Sequence, residues 1–479
     1  MSKHFRPWKI DQTQLLPPSV QDFVASDHLA RFVVALVRES LDLGAITGSY
    51  KTSLGQPPFD PRLMVALLLY AYCSGIYSSR RIAKACGERV DFMSIVALDA
   101  PDFRTISDFR KRHLQALRAL FTQVLKLCET AGLVKLGHVA LDGTKIKANA
   151  SKHKAMSYAR MEARAAELEA EVAKWLAAAE AADAEEDRLH GAKRGDEMPT
   201  WVADKKKRAE KIRQAQAELE AEAMAAANAK REAEAEAEEQ RRREGRKKPG
   251  KPAAPTRDEP DAKAQKNFTD PESRIMKSKD GFVQAYNAQA AVDGEAQIIV
   301  AQDVVQNASD RGQLMPMTDA VTANMGRKPE QLSADAGYCS EANLEGLEAR
   351  DIDGYVATGR AKHACADPSA SEAAAAAAEP SAASPAPTSS QQVETEPVEP
   401  QPPTRVAAMR EKIRAGGHAS PYRLRKQLPE PVFGQIKQAR GFRQFLLRGI
   451  DKVRAEWAIV CTAHNLLKLA KGPKLAKAA

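Results

Sequence analysis

Residues 137–150 read GHVALDGTKIKANA, and the fold turns on this stretch. HVAL is a short apolar run with strand character that ends on Asp142. Gly143 permits a turn, and TKIKA alternates with period two, as a hairpin partner does. LSADAGY, residues 332–338, repeats the pattern and delivers Asp335 to a turn. An acid directly after a buried strand sits where α/β sheets carry their chemistry. Taken singly, each aspartate is an ordinary turn residue. Together, two fixed carboxylates are hard oxygen donors suited to Mg²⁺ or Mn²⁺.

Working outward, GFVQAYNAQAAVD and AQIIVAQDVV are consecutive strands with a turn signal at Gly294. Ser309 and Asp310 cap a helix through RGQLMPMTDAVTANM. Asp310 reads as a helix N-cap, with support of a metal ligand as the alternative. SEANLEGLEAR is a helix and DGYVATG a strand. The α/β pattern is split by an Ala/Glu/Lys/Arg-rich insert, residues 151–248. In it Tyr158, Met161, Ala165, Leu168, Val172, Trp175 and Ala179 form a heptad seam, and Ile212, Leu219, Ala226 and Ala233 recur every seven residues. The insert reads as an antiparallel helical hairpin. A basic linker, 249–265, follows it, and the Ala/Ser/Pro/Glu-rich stretch 361–405 predicts disorder. Residues 406–470 return to helix, with His464 a core histidine.

Residues 1–135 read as a compact helical domain. Asp27 caps a first helix, and Asp60-Pro61 is a strong helix start. Ser78-Ser79 open a short basic helix that breaks at Gly87. Thr105 begins a long helix running to about Gly132. Arg80, Arg81 and Arg110 fall near the turns, which suits helix-turn-helix contact with DNA; a solvated basic face is the plainer reading. The whole chain of 479 residues carries a net charge of +9, which favours a polyanionic partner. Six scattered cysteines without a CxxC pair argue against a disulfide framework or a zinc cluster and fit a reducing compartment. The start has no apolar signal region, and the most apolar run, residues 63–77, is too short to span a bilayer. A cytoplasmic protein is the expectation.

The order of strand with Asp142, further strands, helix, strand with Asp335 and a late helix with Glu430 is that of a ribonuclease-H-like (RNase-H-like) fold, which gathers three acids around metal. Tyr422, Arg425, Lys426 and Lys437 surround Glu430 in PYRLRKQLPEPVFGQIK. Lys437, seven residues on, shares its helix face. Of the competing acids, Glu456 reads as a rim residue at solvent and Asp451 as part of an exposed surface pair. Tyr286 and Asn287 either pack or contact DNA beside the site, and His113 lies in an ordinary charged run.

The sequence resembles bacterial insertion-sequence DDE transposases of the class bearing a Tyr-Arg-Glu-Lys signature. The stretches that carry the resemblance are PPFDPRLMVALLLYAYCSGIYSSRRIAKAC, PDFRTISDFRKRH, ALDGTKIKANAS, GFVQAYNAQAAVD, LSADAGY and PEPVFGQIKQARGFRQFLLRG. The resemblance implies cut-and-paste DNA transposition with Mg²⁺ or Mn²⁺, Asp142, Asp335 and Glu430 as catalytic metal ligands, and Tyr422, Arg425 and Lys437 as the remaining signature residues. One departure stands out: the signature places Arg four residues before Glu, where this chain has Lys426, with Arg425 one earlier. Either could hold a phosphate. The expected architecture is α/β: an all-α DNA-binding domain (1–135), then an RNase-H-like catalytic domain (136–150, 266–360 and 406–470) interrupted by the hairpin. The expected partners are the terminal inverted repeats, target DNA and a second copy of the chain. A metal-dependent nuclease without strand transfer, and a non-catalytic DNA-binding derivative, are the alternatives.

Overall fold

The computed structural model describes residues 19–50, 57–190, 200–243, 258–278, 281–359 and 404–472. Most of the two expected linkers, 249–257 and 361–403, lies outside the described residues. The N-terminal part is helical: α1 (Leu29–Glu39), α2 (Gly44–Thr47), α3 (Pro61–Cys73), α4 (Ser79–Glu88), α5 (Val90–Val96), α6 (Phe103–Arg112) and α7 (Leu114–Thr130). Asp60 caps α3 as expected, accepting from the Arg62 amide with Pro61 in the first turn. Three expectations are corrected. His28, not Asp27, caps α1, its Nδ1 accepting from the Ala30 amide at 3.1 Å. The fourth helix runs through Gly87 to Glu88. The long helix expected from Thr105 is two helices that meet at His113, the first capped by Asp102.

The sheet is built on β1 (His138–Lys147), a single unbroken strand. The turn expected at Gly143 does not exist. β5 (Gly281–Asp293) pairs antiparallel with β1 from Val139↔Asp293 to Lys147↔Ala285, straight through Asp142↔Ala290 and Gly143↔Gln289. A continuous partner supplies every ladder bond that a turn would forfeit. The next strands in the chain around it are β2 (Ala155–Ser157), β3 (Gln265–Asn267), β4 (Arg274–Ser278), β6 (Ile299–Val305), β7 (Gln331–Ala334) and β8 (Asp353–Val356). The main sheet runs β4-β5-β1-β7-β8, with β6 also on β5, and β2 pairs β3 apart from it. β5 is antiparallel to β1 and β6 to β5, whereas β7 is parallel to β1 and β8 to β7.

The insert is an antiparallel hairpin of α8 (Tyr158–His190) and α9 (Thr200–Arg243). Met161, Ala165 and Leu168 pack on Ala209, Ile212, Ala215 and Leu219 in a small core of their own. Beyond Leu219 the buried residue is Ala227; the expected seam residues Ala226 and Ala233 are exposed, because alanine at seven-residue spacing drifts around a straight helix without apolar mass to hold it in register. Helices α10 (Leu314–Met325), α11 (Glu341–Ala349), α12 (Arg405–Gly416), α13 (Leu424–Gln427), α14 (Pro429–Gly434) and α15 (Ile450–Lys471) follow among the described residues. Among the described residues, no helix is long and apolar enough to cross a membrane.

Helix α15 joins the two halves. It packs against α3 and α7 and against β6. Asn465 bonds the Ile299 amide and carbonyl at 2.9 Å each, and Trp457 Nε1 donates to the Gln289 carbonyl at 3.0 Å. One apolar cluster therefore runs from α1 through the sheet to α15, continuous across residue 135. His464 is a core residue as expected, its Nε2 lying 2.9 Å from the Gln297 carbonyl oxygen.

Two polar groups within this core differ from the sequence reading. Glu456 is fully buried rather than at a rim, and its carboxylate accepts the amides of Leu446 and Leu447 at 3.0 Å. Arg110, expected at DNA, is buried, donating from Nη1 to Tyr72 Oη at 3.2 Å and to the Tyr77 carbonyl at 3.0 Å. The two belong to helix faces whose burial comes only from tertiary packing, which local pattern does not record.

Burial pushes the Glu456 carboxyl up to about 7, against the opposing pull of the Leu447 amide, the Arg110 charge and the Leu446 amide. A carboxyl raised by folding favours the native state only while it is protonated there. Its contribution is fully present below the ordinary value of 4.5 and is lost as pH rises through about 7. Glu456→Gln keeps an acceptor for the two amides but cannot ionise. Urea denaturation at about pH 5 and about pH 8 should show the wild type losing about 2–3 kcal/mol more than the variant across that interval. Equal losses would show that Glu456 does not titrate in the fold.

Candidate functional site

Asp142 and Asp335 meet because β1 and β7 are parallel neighbours with Leu141 opposite Ala334. The next residue on each strand is an aspartate, and adjacent strands lie ~4.8 Å apart. Asp335 caps a short 3₁₀ turn, Ala336–Tyr338, its Oδ1 accepting from the Gly337 amide at 2.8 Å. Asp142 Oδ1 accepts from the Gly143 amide at 2.8 Å. Burial raises the Asp142 carboxyl to about 6; the Gly143 amide opposes this, the Asp335 charge adds to it, Arg425 opposes it and Asp310 adds to it. The site is therefore a crowd of carboxylates short of positive charge.

Arg425 supplies part of that charge. Its Nη1 lies 3.9 Å from Asp335 Oδ2, and its guanidinium carbon lies 5.4 Å from the centroid of the Tyr422 ring. Of the two basic residues before Glu430, Arg425 reaches the acids, while Lys426 is exposed on α13. Buried Arg425 Nε has no hydrogen-bond partner among the described residues.

Asp310 does not cap the following helix with its side chain. It turns instead to β1 and β5, where Oδ1 accepts from Asn287 Nδ2 at 2.5 Å and Gln289 Nε2 at 2.8 Å, and Lys145 Nζ sits 3.3 Å from both oxygens. The reason is local: a cap amide is one donor, whereas the strands offer three. Tyr338 Oη donates to Gln289 Oε1 and fixes that amide. Asn287 is thus part of the site's support, while Tyr286 is buried elsewhere, donating to Asp270 Oδ1 at 2.8 Å. The sequence held a signal for this network: Asn287 and Gln289 are polar at alternate positions of an otherwise apolar strand, so they share one face.

Gly143 earns its place by space rather than by a turn. A Cβ there would lie 2.4 Å from Gln289 Nε2, 2.7 Å from Asp310 Oδ1 and 3.1 Å from Asn287 Oδ1.

The third expected acid is not drawn in. Glu430 is exposed on the first turn of α14, whereas Val432, Phe433 and Ile436 are buried. Among the described residues, no three His, Cys, Asp or Glu side chains form a group able to hold a metal ion. Lys437 lies on β1, donating to Thr144 Oγ1 and to the Lys145 carbonyl at 2.9 Å. It does not share a face with Glu430 by two α-turns, because α14 ends at Gly434 and a π-helical turn, Gln435–Ala439, changes the phase. Arg80 and Arg81 are exposed on α4. His113 is buried, with Nε2 3.2 Å from Tyr50 Oη.

Two family models match the chain. Residues 18–112 match a transposase domain (DUF772), and residues 388–470 match a transposase DDE domain. Among curated proteins, none matches. Among solved structures, none matches either. Transposase-type sequence thus covers α1 to α6 at one end and α12 to most of α15 at the other, the latter including Arg425, Glu430 and Lys437.

Gly143→Ala should destabilise the fold by about 1–3 kcal/mol, since the β1 backbone and the Asp310 cluster must move apart. Urea denaturation checks this. An unchanged midpoint would mean that the polar cluster can withdraw at no cost.

Proposed function

We propose that this chain is a DNA transposase of the DDE type, which cuts phosphodiester bonds at the ends of an insertion sequence and joins the freed 3′-hydroxyls to target DNA. The observation that carries the reading is the pairing of Asp142 and Asp335 across parallel strands, with Arg425 3.9 Å from the second acid. The strand order β6-β5-β1-β7-β8, three antiparallel strands followed by two parallel ones, supports an RNase-H-like core. In this reading, residues 1–135 bind DNA, with Arg80 and Arg81 at phosphates. Residues 136–150, 266–360 and 406–470 form the catalytic domain, residues 151–248 the inserted hairpin, and 249–265 and 361–405 the linkers. Glu430 is the third acid.

The donor chemistry fits a divalent cation. Asp142 and Asp335 are hard oxygen donors, and the raised Asp142 carboxyl marks a place where positive charge is lacking. Asp142 and Asp335, with Glu430 brought to them from the exposed first turn of α14, would hold Mg²⁺ or Mn²⁺, which would activate an attacking oxygen and stabilise a leaving one. Arg425 would bind a phosphate oxygen beside Asp335, with Tyr422 against its guanidinium. Lys437 adds fixed positive charge on β1, and Lys426 reaches the backbone from solvent. The nucleophiles are water and then a DNA hydroxyl, so no protein side chain needs to form a covalent bond. Processing two ends together calls for two copies of the chain in the DNA complex.

Asp142→Asn and Asp335→Asn should each abolish Mg²⁺-dependent cutting of a labelled end duplex and leave duplex affinity within about threefold at fixed salt. Glu430→Gln should also be inactive, with an unchanged circular dichroism spectrum, while Asp451→Asn stays active. Cutting that persists in Glu430→Gln would remove that acid from the site. A wild type that cuts but never joins strands would make the protein a nuclease.

A further inference from the structure

The N-terminal helices carry a groove of about 650 Å³ that lies apart from the acid site. Its walls are the start of α4 and the outer face of α6, and it reaches Asn149 just beyond β1. Arg80 and Arg104 flank one aromatic ring, their guanidinium carbons 5.2 Å and 5.7 Å from the centroid of Phe103, which is itself 36% exposed. Neither arginine forms an ion pair among the described residues, although Asp102 feels the charge of Arg104. Lys111 is different: Asp108 pairs with it at 3.5 Å. Buried Arg110 also lines the groove, and its Nε is without a partner among the described residues. Ser78 makes no side-chain cap at the start of α4, which leaves the first amides of that helix open.

An exposed ring held between two unpaired guanidinium groups fixes their charges in place at little entropic cost. With open helix amides beside them, the groove complements a chain of phosphates. Its position relative to the acids is set by β1. Asn149 follows Asp142 by seven residues, a reach of at most roughly 23 Å at ~3.3 Å each. A duplex rises ~3.4 Å per base pair, so that reach is at most roughly seven base pairs.

We propose that this groove grips the backbone of the duplex that is cut at Asp142 and Asp335, within about seven base pairs of the cut. The proposal rests on the reading of the chain as a DNA-cutting enzyme. The groove then acts as a ruler: it fixes which phosphodiester reaches the acids, and α6 supplies the grip through Phe103 and Arg104.

The test uses the full chain and a fluorescein-labelled mixed-sequence duplex of about 30 base pairs, with affinity measured by anisotropy across a salt series. The double variant Arg80→Ala/Arg104→Ala should lose about tenfold in affinity at ~0.15 M salt and lower the salt slope by about 2. Arg410→Ala/Arg414→Ala, two exposed arginines of α12, removes the same charge elsewhere and should leave the slope near that of the wild type. Phe103→Ala should weaken binding with the slope unchanged, since it removes the platform and no charge. Equal slopes in the two double variants would overturn the groove while leaving the DNA-cutting reading intact. A wild type that binds no duplex would overturn both.

Discussion

Hydrogen bonding along both edges of β1 is the constraint on which the rest of the molecule depends. β5 pairs it antiparallel from Val139 to Lys147, and β7 pairs it parallel from His138 to Leu141. The parallel partner stops where the acids begin. Past Leu141 and Ala334 one edge of β1 is released, and both chains deliver a carboxylate at that point. The antiparallel partner continues, so Asp142 stands on a strand held rigid from its other side. A site that must keep two repelling carboxylates together needs this stiffness, because nothing in their own chemistry draws them together.

The acids differ in how the protein answers their charge. Asp310 has Lys145 and two side-chain amides. Asp335 has one backbone amide and the distant edge of Arg425. Among the described residues Asp142 accepts one amide, from its neighbour, with Arg425 acting at a distance, and burial drives it up to about 6. The gradient runs from a satisfied acid to an unsatisfied one, which is the order expected if Asp310 is built for support and Asp142 for a ligand that carries charge.

Much of this was legible in the sequence. Asp142 and Asp335 each follow a short apolar run, and the strands of 281–305 and the larger apolar residues of the hairpin seam announce themselves by period. What escaped is non-local. Gly143 reads as a turn because local propensity cannot see that β5 matches it residue for residue; its small size answers to Gln289 and Asp310, far away in the chain. Arg110 stands in a charged run and Glu456 at the edge of an apolar face, so both read as solvent-facing charges, and only packing of α6, α3 and α15 buries them. The seven-residue step from Glu430 to Lys437 presumes an uninterrupted α-helix, and the π turn breaks that presumption without any mark in the pattern. The choice between Arg425 and Lys426 rested on spacing alone, and geometry favours the residue that spacing leaves out of register.

The burial of α15 has a consequence in time. Its residues from Val453 onward cover the apolar faces of α3 and α7, and its Asn465 closes the free edge of β6. During synthesis those earlier helices emerge long before their cover. At ~5–20 residues per second, the stretch from the end of α7 to the middle of α15 takes roughly 15–60 s to make. Throughout that interval the nascent chain displays the face of α3, which in the finished protein is buried from Met64 to Cys73. The molecule is therefore closed by α15, and a ribosome that stops before it releases a sticky fragment rather than a working helical domain.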